Sequence, residues 1–447
     1  MKNNIMKREH IYDKDWRYSF LRIFWTDKNV RSSYRRRIVC GQENLPQDGA
    51  IILSPNHCNT LMDALVMLCA HKGITVFGAR ADIFRKPLIA KIMTFLRILP
   101  MVRQRDGLRN VLQNNQTQEI IVDTLENDVR FCLFPEGSHR TKHSLQRLGK
   151  GVFRIALAAN AKFGEKKPVY IVPVGLEYGD YFRYRSTCIV NYGKPINVTK
   201  FVAEGNFESE PQAIEALRHE LSARISGLIT YIPDDENYES KWTLTKMLAI
   251  FKNKKGYGQF GTRLKDDMDK NMDIAAKIEN AIAADPEATS TILERVKVFE
   301  QERKSKKISI YSFRKMNPLC NAVRKGIRAL IGLPYFIFSA IACLPMWTTE
   351  KKIRSGIKDP AFGNTVSFGI RLGFTFLLFV TYATLAFCLA PWWLAILILA
   401  LYLPSFSYFH DYIEGCRRWF SDIRLYRNRK LYKEFKHIVK DFYQIAK

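Results

Sequence analysis

From Leu372 to Phe409 the chain runs without a single Asp, Glu, Lys or Arg. A helix that crosses a bilayer needs about 20 residues, so this run is nearly long enough for two. Pro391, followed by Trp392 and Trp393, falls in its middle. That pattern predicts a helical hairpin whose turn lies near one membrane interface, with the indoles as anchors. A second apolar run, 329–347, contains Pro334 and Pro345. Arg324, Lys325 and Arg328 precede it, and Lys351, Lys352 and Arg354 follow. Arg371 and the Arg417-Arg418 pair bracket the longer run in the same way. Basic loops stay on the cytoplasmic side, so each segment that enters must return. The expectation is a re-entrant or interfacial segment, then a two-helix hairpin, with both termini cytoplasmic.

The formal charge of +27, from 70 Lys plus Arg against 43 Asp plus Glu, predicts attraction to a polyanion. Charge alone does not choose between nucleic acid and an anionic lipid surface. The apolar runs choose the phospholipid membrane, and no nucleic-acid partner is expected. The 9 cysteines include no C-x-x-C pair, which suits a reducing compartment better than a disulfide framework or a zinc site. The first 37 residues hold 11 Lys plus Arg against 4 acids and lack the apolar core of an export signal. Within them Phe20, Leu21, Ile23, Phe24 and Trp25 form a cluster suited either to a bilayer interface or to packing on a neighbouring domain.

A chain of 447 residues exceeds one ordinary domain. Residues 1–37 read as a basic amphipathic arm. From there to residue 230, short apolar runs at 50–54, 75–78, 130–134, 169–174 and 188–192 read as strands. Helical spacing fills 63–70, 86–97, 108–127 and 150–162. This alternation predicts an α/β sandwich over 38–230. Residues 231–320 read as a helical region, 268–305 being rich in Ala, Glu, Lys and Arg without strand signals, and 321–447 as a membrane-associated region with a basic tail. Gly256-Tyr-Gly-Gln-Phe-Gly261 has G-x-G-x-x-G spacing but follows a basic run and no strand, so it is not a nucleotide loop.

Ser54 and Pro55 end a predicted strand, which puts His57 at the carboxyl edge of a sheet, where ligands of open α/β sheets bind. Asp63 then starts the next helix, within reach of the imidazole as an orienting carboxylate. Pro55-Asn56-His57 with Asp63, Pro100-Met-Val-Arg103, Phe134-Pro-Glu-Gly137 and Ile171-Val-Pro-Val174 together resemble the four ordered blocks of the glycerolipid acyltransferases. That family includes glycerol-3-phosphate and 1-acyl-sn-glycerol-3-phosphate acyltransferases, and the likeness spans roughly residues 38–230. Five residues separate His57 from Asp63 where most members have four. That spacing, with the Ser138-His139-Arg140 ending of the third block, is more similar to the fungal-type glycerol-3-phosphate or dihydroxyacetone-phosphate enzymes.

The resemblance implies a general base, His57, oriented by Asp63, and acyl transfer from acyl-CoA or acyl-carrier protein with no cofactor and no metal. It implies acceptor and phosphate contacts at Arg103, Glu136, Gly137, Ser138 and Arg140, with Glu136 bonding a hydroxyl and Gly137 admitting close backbone approach. Pro173 would line the acyl-donor channel. The expected acceptor is the lysophospholipid 1-acyl-sn-glycerol-3-phosphate, with glycerol-3-phosphate as the alternative. The active site would face the cytoplasm. An inactive basic membrane scaffold is the alternative of another class. Cys58 beside His57 is discounted as a nucleophile, since direct attack needs no thiol.

Overall fold

The computed structural model of the chain describes residues 10–102, 111–252, 263–314 and 317–446. These fall into two compact units, treated separately below: residues 1–30, 38–177 and 189–229, and residues 31–37, 178–188 and 230–447.

The first unit is an α/β sandwich built on a mostly parallel sheet. Its strands are β1 (Tyr34–Cys40), β2 (Ala50–Pro55), β3 (Thr75–Arg80), β4 (Ile98–Met101), β5 (Arg130–Cys132), β6 (Val169–Tyr178), β7 (Ser186–Tyr192) and β8 (Ile196–Asn197). The order across the sheet is β1-β7-β6-β2-β5-β3-β4, with β8 pairing antiparallel to β6. β2 is central and pairs in parallel with both β5 and β6. Every residue of Ala50-Ile-Ile-Leu-Ser-Pro55 is buried, as a strand covered on both faces requires. The helix Gly151–Phe163 packs Val152, Phe153, Ile155, Ala156 and Ala159 into the same core as Ile52, Phe131 and Ile171.

Three strands escape the sequence pattern. β1 reads Tyr-Arg-Arg-Arg-Ile-Val-Cys, and its three arginines hide the apolar signal. β4 is four residues long and lies just beyond the 86–97 stretch expected to be helical, and β8 is only two residues long.

The second unit is helical. Tyr238–Lys252, Leu264–Ala284, Pro286–Ser305 and Arg429–Ile445 enclose a core that includes Leu248, Ile278, Val296, Phe299, Phe435 and Ile438. The helical stretch expected over 268–305 is divided between two helices, because Pro286 cannot continue a helix and Asp285 caps the next one by accepting from Ala288 N. Among the described residues, three helices have the length and composition to cross a membrane: Pro318–Ala342, Pro360–Leu389 and Trp392–Arg427. The first runs unbroken through Pro334, breaks at Cys343 and continues as Leu344–Ser355. Residues 31–37 and 178–188 join this unit through Asp411, whose carboxylate accepts from Arg35 at 2.6 Å and Arg185 at 3.0 Å.

Glu350, beside the membrane helices, accepts from Ser367 Oγ at 2.6 Å and Arg354 Nη1 at 3.0 Å, and lies 3.3 Å from His410 Nε2. Burial pushes its carboxyl up, but bonding and charge from His410, with help from Ser367 and Arg354, outweigh burial and hold it at about 2. A depressed carboxyl pKa adds stability above the unfolded value of 4.5, and that stability is lost as pH falls through the folded value. Glu350→Gln is therefore expected to destabilise the second unit by roughly 3 kcal/mol at neutral pH. In thermal unfolding scans of the detergent-solubilised chain, the gap between wild type and variant should close as pH falls from 4.5 towards 2.

Candidate active site

The site grows from the carboxyl end of β2. Asn56 is buried there, and its amide copies a strand neighbour: Oδ1 accepts from Leu176 N at 2.6 Å and Nδ2 donates to Leu176 O at 3.1 Å. This pairing fixes the backbone that carries His57. In the sequence Asn56 stands out only as a member of the Pro55-Asn56-His57 string, and an amide side chain beside the histidine is the available signal.

His57 Nδ1 lies 2.8 Å from Asp63 Oδ2. The same oxygen accepts the backbone N–H groups of Cys58 at 2.8 Å and Asn59 at 2.6 Å. A carboxylate only accepts, so the proton on Nδ1 points at Asp63 and the Nε2 lone pair is left for a substrate proton. Asp63 is fully buried, whereas the His57 side chain keeps 19% of its surface exposed. The pair can therefore be reached on the imidazole side alone. Between His57 and Asp63, Thr60 opens the helix Thr60–Leu68 with φ 46°. A β-branched residue adopts that left-handed conformation only at a cost, here in a turn that delivers Asp63 to the ring.

The third block wraps the same histidine. Glu136 Oε1 accepts the His57 backbone N–H at 2.7 Å, and Arg140 N donates to His57 O at 3.0 Å. The other Glu136 oxygen accepts from Gln146 N at 2.9 Å. Burial pushes the Glu136 carboxyl above the usual range, with the N–H groups of Gln146 and His57 offsetting part of the rise. Gln146, absent from the sequence reading, also closes the loop: its Nε2 donates to Ser138 O at 2.8 Å, and Ser138 Oγ lies 3.2 Å from its Oε1. Such a residue is invisible in sequence because its partners are mostly backbone atoms. Gly137 turns the loop with φ 65° in open space, so backbone conformation alone accounts for the glycine.

The Arg140 guanidinium donates to Ser144 Oγ at 3.0 Å, which ties it to its own loop. The rings of Phe134 and His139 stand 4.5 and 5.9 Å from that of His57, centroid to centroid. Cys58 is buried, with Sγ 3.9 Å from Asp63 Oδ1 and 3.7 Å from Leu176 O. Pro173 is buried in β6 opposite Ser54 of β2, one strand from the histidine. Arg103 lies outside the described residues, as does the 256–261 glycine string.

A buried carboxylate orienting an imidazole, with a Gly turn folded over it, can act as a general base towards a hydroxyl. The Acyltransferase family model matches residues 36–177. The domain is similar to glycerol-3-phosphate O-acyltransferase 2 of Saccharomyces cerevisiae, at 28% identity over 123 residues. That stretch covers 28% of this chain and only 16% of the yeast protein. Among solved structures, the 1-acyl-sn-glycerophosphate acyltransferase PlsC of Thermotoga maritima is 18% identical, covering 50% of this chain and 82% of that one, with a TM-score of 0.35. At that score the likeness adds nothing to the assignment.

Removing the Glu136 carboxylate leaves two inward-facing N–H groups without their acceptor, at about 1–3 kcal/mol each. Glu136→Ala is expected to lower kcat of the acyltransferase domain about 100-fold, and Glu136→Gln, which keeps one acceptor oxygen, about tenfold. Steady-state kinetics check this: a brace for His57 lowers kcat, whereas a pure hydroxyl-binding role would raise the acceptor KM instead.

Proposed function

We propose that the protein transfers an acyl chain from a thioester, acyl-CoA or acyl-carrier protein, to a hydroxyl of a glycerol-phosphate acceptor. The observation that carries this reading is the His57–Asp63 pair at 2.8 Å, with Nε2 turned away from the carboxylate. The acceptor hydroxyl gives its proton to Nε2 as its oxygen attacks the thioester carbonyl carbon. The tetrahedral intermediate then expels the thiolate as the C–S bond breaks, and the imidazolium returns the proton to sulfur. Asp63 holds the ring in the tautomer needed and stabilises the imidazolium between the two steps. No acyl-enzyme forms, and no metal or redox cofactor takes part.

Glycerol-3-phosphate is the acceptor in the yeast relative's name, which together with the five-residue spacing favours it here. The sequence expectation of 1-acyl-sn-glycerol-3-phosphate is the second reading, supported by three helices able to keep the chain in the bilayer where that lipid resides. Arg103 and the 136–140 loop are the proposed contacts to the acceptor's polar end, and Pro173 lines the donor side. The active site works on the cytoplasmic face, as the basic loops suggest.

Purified chain in nanodiscs, given labelled acyl-CoA or acyl-carrier protein with each acceptor in turn, is expected to acylate one of the two. His57→Ala should lower kcat by roughly 10² to 10⁴-fold. Transfer unchanged in that variant would remove His57 from the chemistry. No transfer to either acceptor from either donor would favour an inactive scaffold.

A further inference from the structure

The N-terminal helical run is built inside out for a surface helix. One cation, Arg22, turns inward: its guanidinium donates to the backbone carbonyls of Leu68 at 3.0 Å and His71 at 2.9 Å, and also to that of Gly73. Its apolar residues turn outward: Trp16 is 77% exposed, and Phe20, Ile23 and Phe24, at helical spacing from it, are each more than half exposed. A solvated helix shows the opposite arrangement.

The neighbouring helix Pro87–Phe95 repeats the pattern, with Leu88 at 70% and Ile92 at 46% exposed on successive turns. The two segments are riveted together. Arg97, 1% exposed, donates to Tyr12 O at 3.1 Å and Asp13 O at 2.8 Å and stacks 4.5 Å over the Tyr18 ring. Tyr18 in turn meets Phe95 edge-on, at 6.2 Å between centroids. Lys14, Lys28, Arg85, Lys86 and Lys91 are exposed in the same two segments, whereas Asp82 is bound by Arg80.

We infer that the outward faces of these two segments are one docking surface for an anionic bilayer, with Trp16, Phe20, Ile23, Phe24, Leu88 and Ile92 entering the interface. Apolar residues that include an indole, bordered by cations, match the chemistry of the headgroup–acyl boundary. A soluble protein partner would leave the lysines and arginines needing acids of its own. The bilayer supplies both the apolar layer and the negative charge, and the chain already carries three helices able to enter one. Through Arg97 the surface is continuous with β4, which leads to the second sequence block at Pro100.

The test uses full-length protein in nanodiscs of phosphatidylcholine and phosphatidylglycerol doped with a diazirine phospholipid. Adducts are mapped by mass spectrometry after illumination, a readout that needs no turnover and so stands apart from the acyl-transfer reading. Lipid adducts are expected on residues 16–24 and 86–95 as well as on the 363–427 helices. In the double variant Phe20→Asp, Leu88→Asp they should fall about tenfold on both segments, the scale expected from losing one large apolar anchor. Labelling of 363–427 should stay unchanged, which controls for folding and insertion. Adducts confined to 363–427 in the wild type would overturn the proposal. So would chemical cross-links joining these segments of two copies in place of lipid adducts, which would make the surface a self-association face.

Discussion

The peptide group of His57 is gripped on both sides by a loop some eighty residues further along the chain. Glu136 takes its N–H, and the Arg140 N–H takes the carbonyl. The bond to the Glu136 carboxylate is stronger than one to a neutral acceptor, and the backbone bond from Arg140 fixes the other side of the peptide. Everything else in the site follows from that grip. The sheet register makes it possible, because β2 and β5 run parallel with Leu53 opposite Cys132, so their carboxyl ends deliver the first and third blocks to one place. Asp63 then acts on an imidazole whose backbone cannot drift. Gln146 keeps the loop closed, and the same loop sets the His139 ring edge-on to that of His57 at 5.9 Å.

Much of this was legible in the sequence, for a physical reason. Strands buried on both faces must be apolar throughout, so β2 and β6 stand out as unbroken runs such as Ile51-Ile-Leu53 and Val169-Tyr-Ile-Val172. The His57–Asp63 pair was legible because six residues of chain cannot separate the two side chains far. What stayed hidden depends on backbone partners or on partners remote in sequence. Asn56 bonds the main chain of Leu176, and Gln146 bonds that of Ser138, and neither partner carries a side-chain signature. The extra residue between His57 and Asp63 looked like a difference in the site itself. With Thr60 at an unfavourable backbone angle in that turn, His57 Nδ1 and Asp63 Oδ2 still meet at 2.8 Å.

Charge was legible as a total but not as a pattern. Of the 70 cations many are spent internally. Arg35 and Arg185 share Asp411, Arg295 spans Glu434 and Asp441, and Arg22 and Arg97 satisfy backbone carbonyls. In the N-terminal arm Arg22 is used inward, while Trp16, Phe20, Ile23 and Phe24 face outward beside the exposed Lys14 and Lys28. A sequence count records such a helix as basic, whereas its exposed face is largely apolar with a cationic border. In the second unit, the same use of ion pairs ties residues 31–37 and 178–188 to Asp411.

Direct attack assisted by His57 requires that no acyl group ever reside on the protein, although a thiol, Cys58, sits next to the base. Mixing the chain with labelled acyl thioester in the absence of acceptor, denaturing it and counting protein-bound label decides this most directly. No label should remain with the protein, while added acceptor should release the acyl chain into lipid. Stoichiometric label on the protein, lost on treatment with hydroxylamine and absent from Cys58→Ala, would contradict direct attack and make the cysteine the acyl carrier.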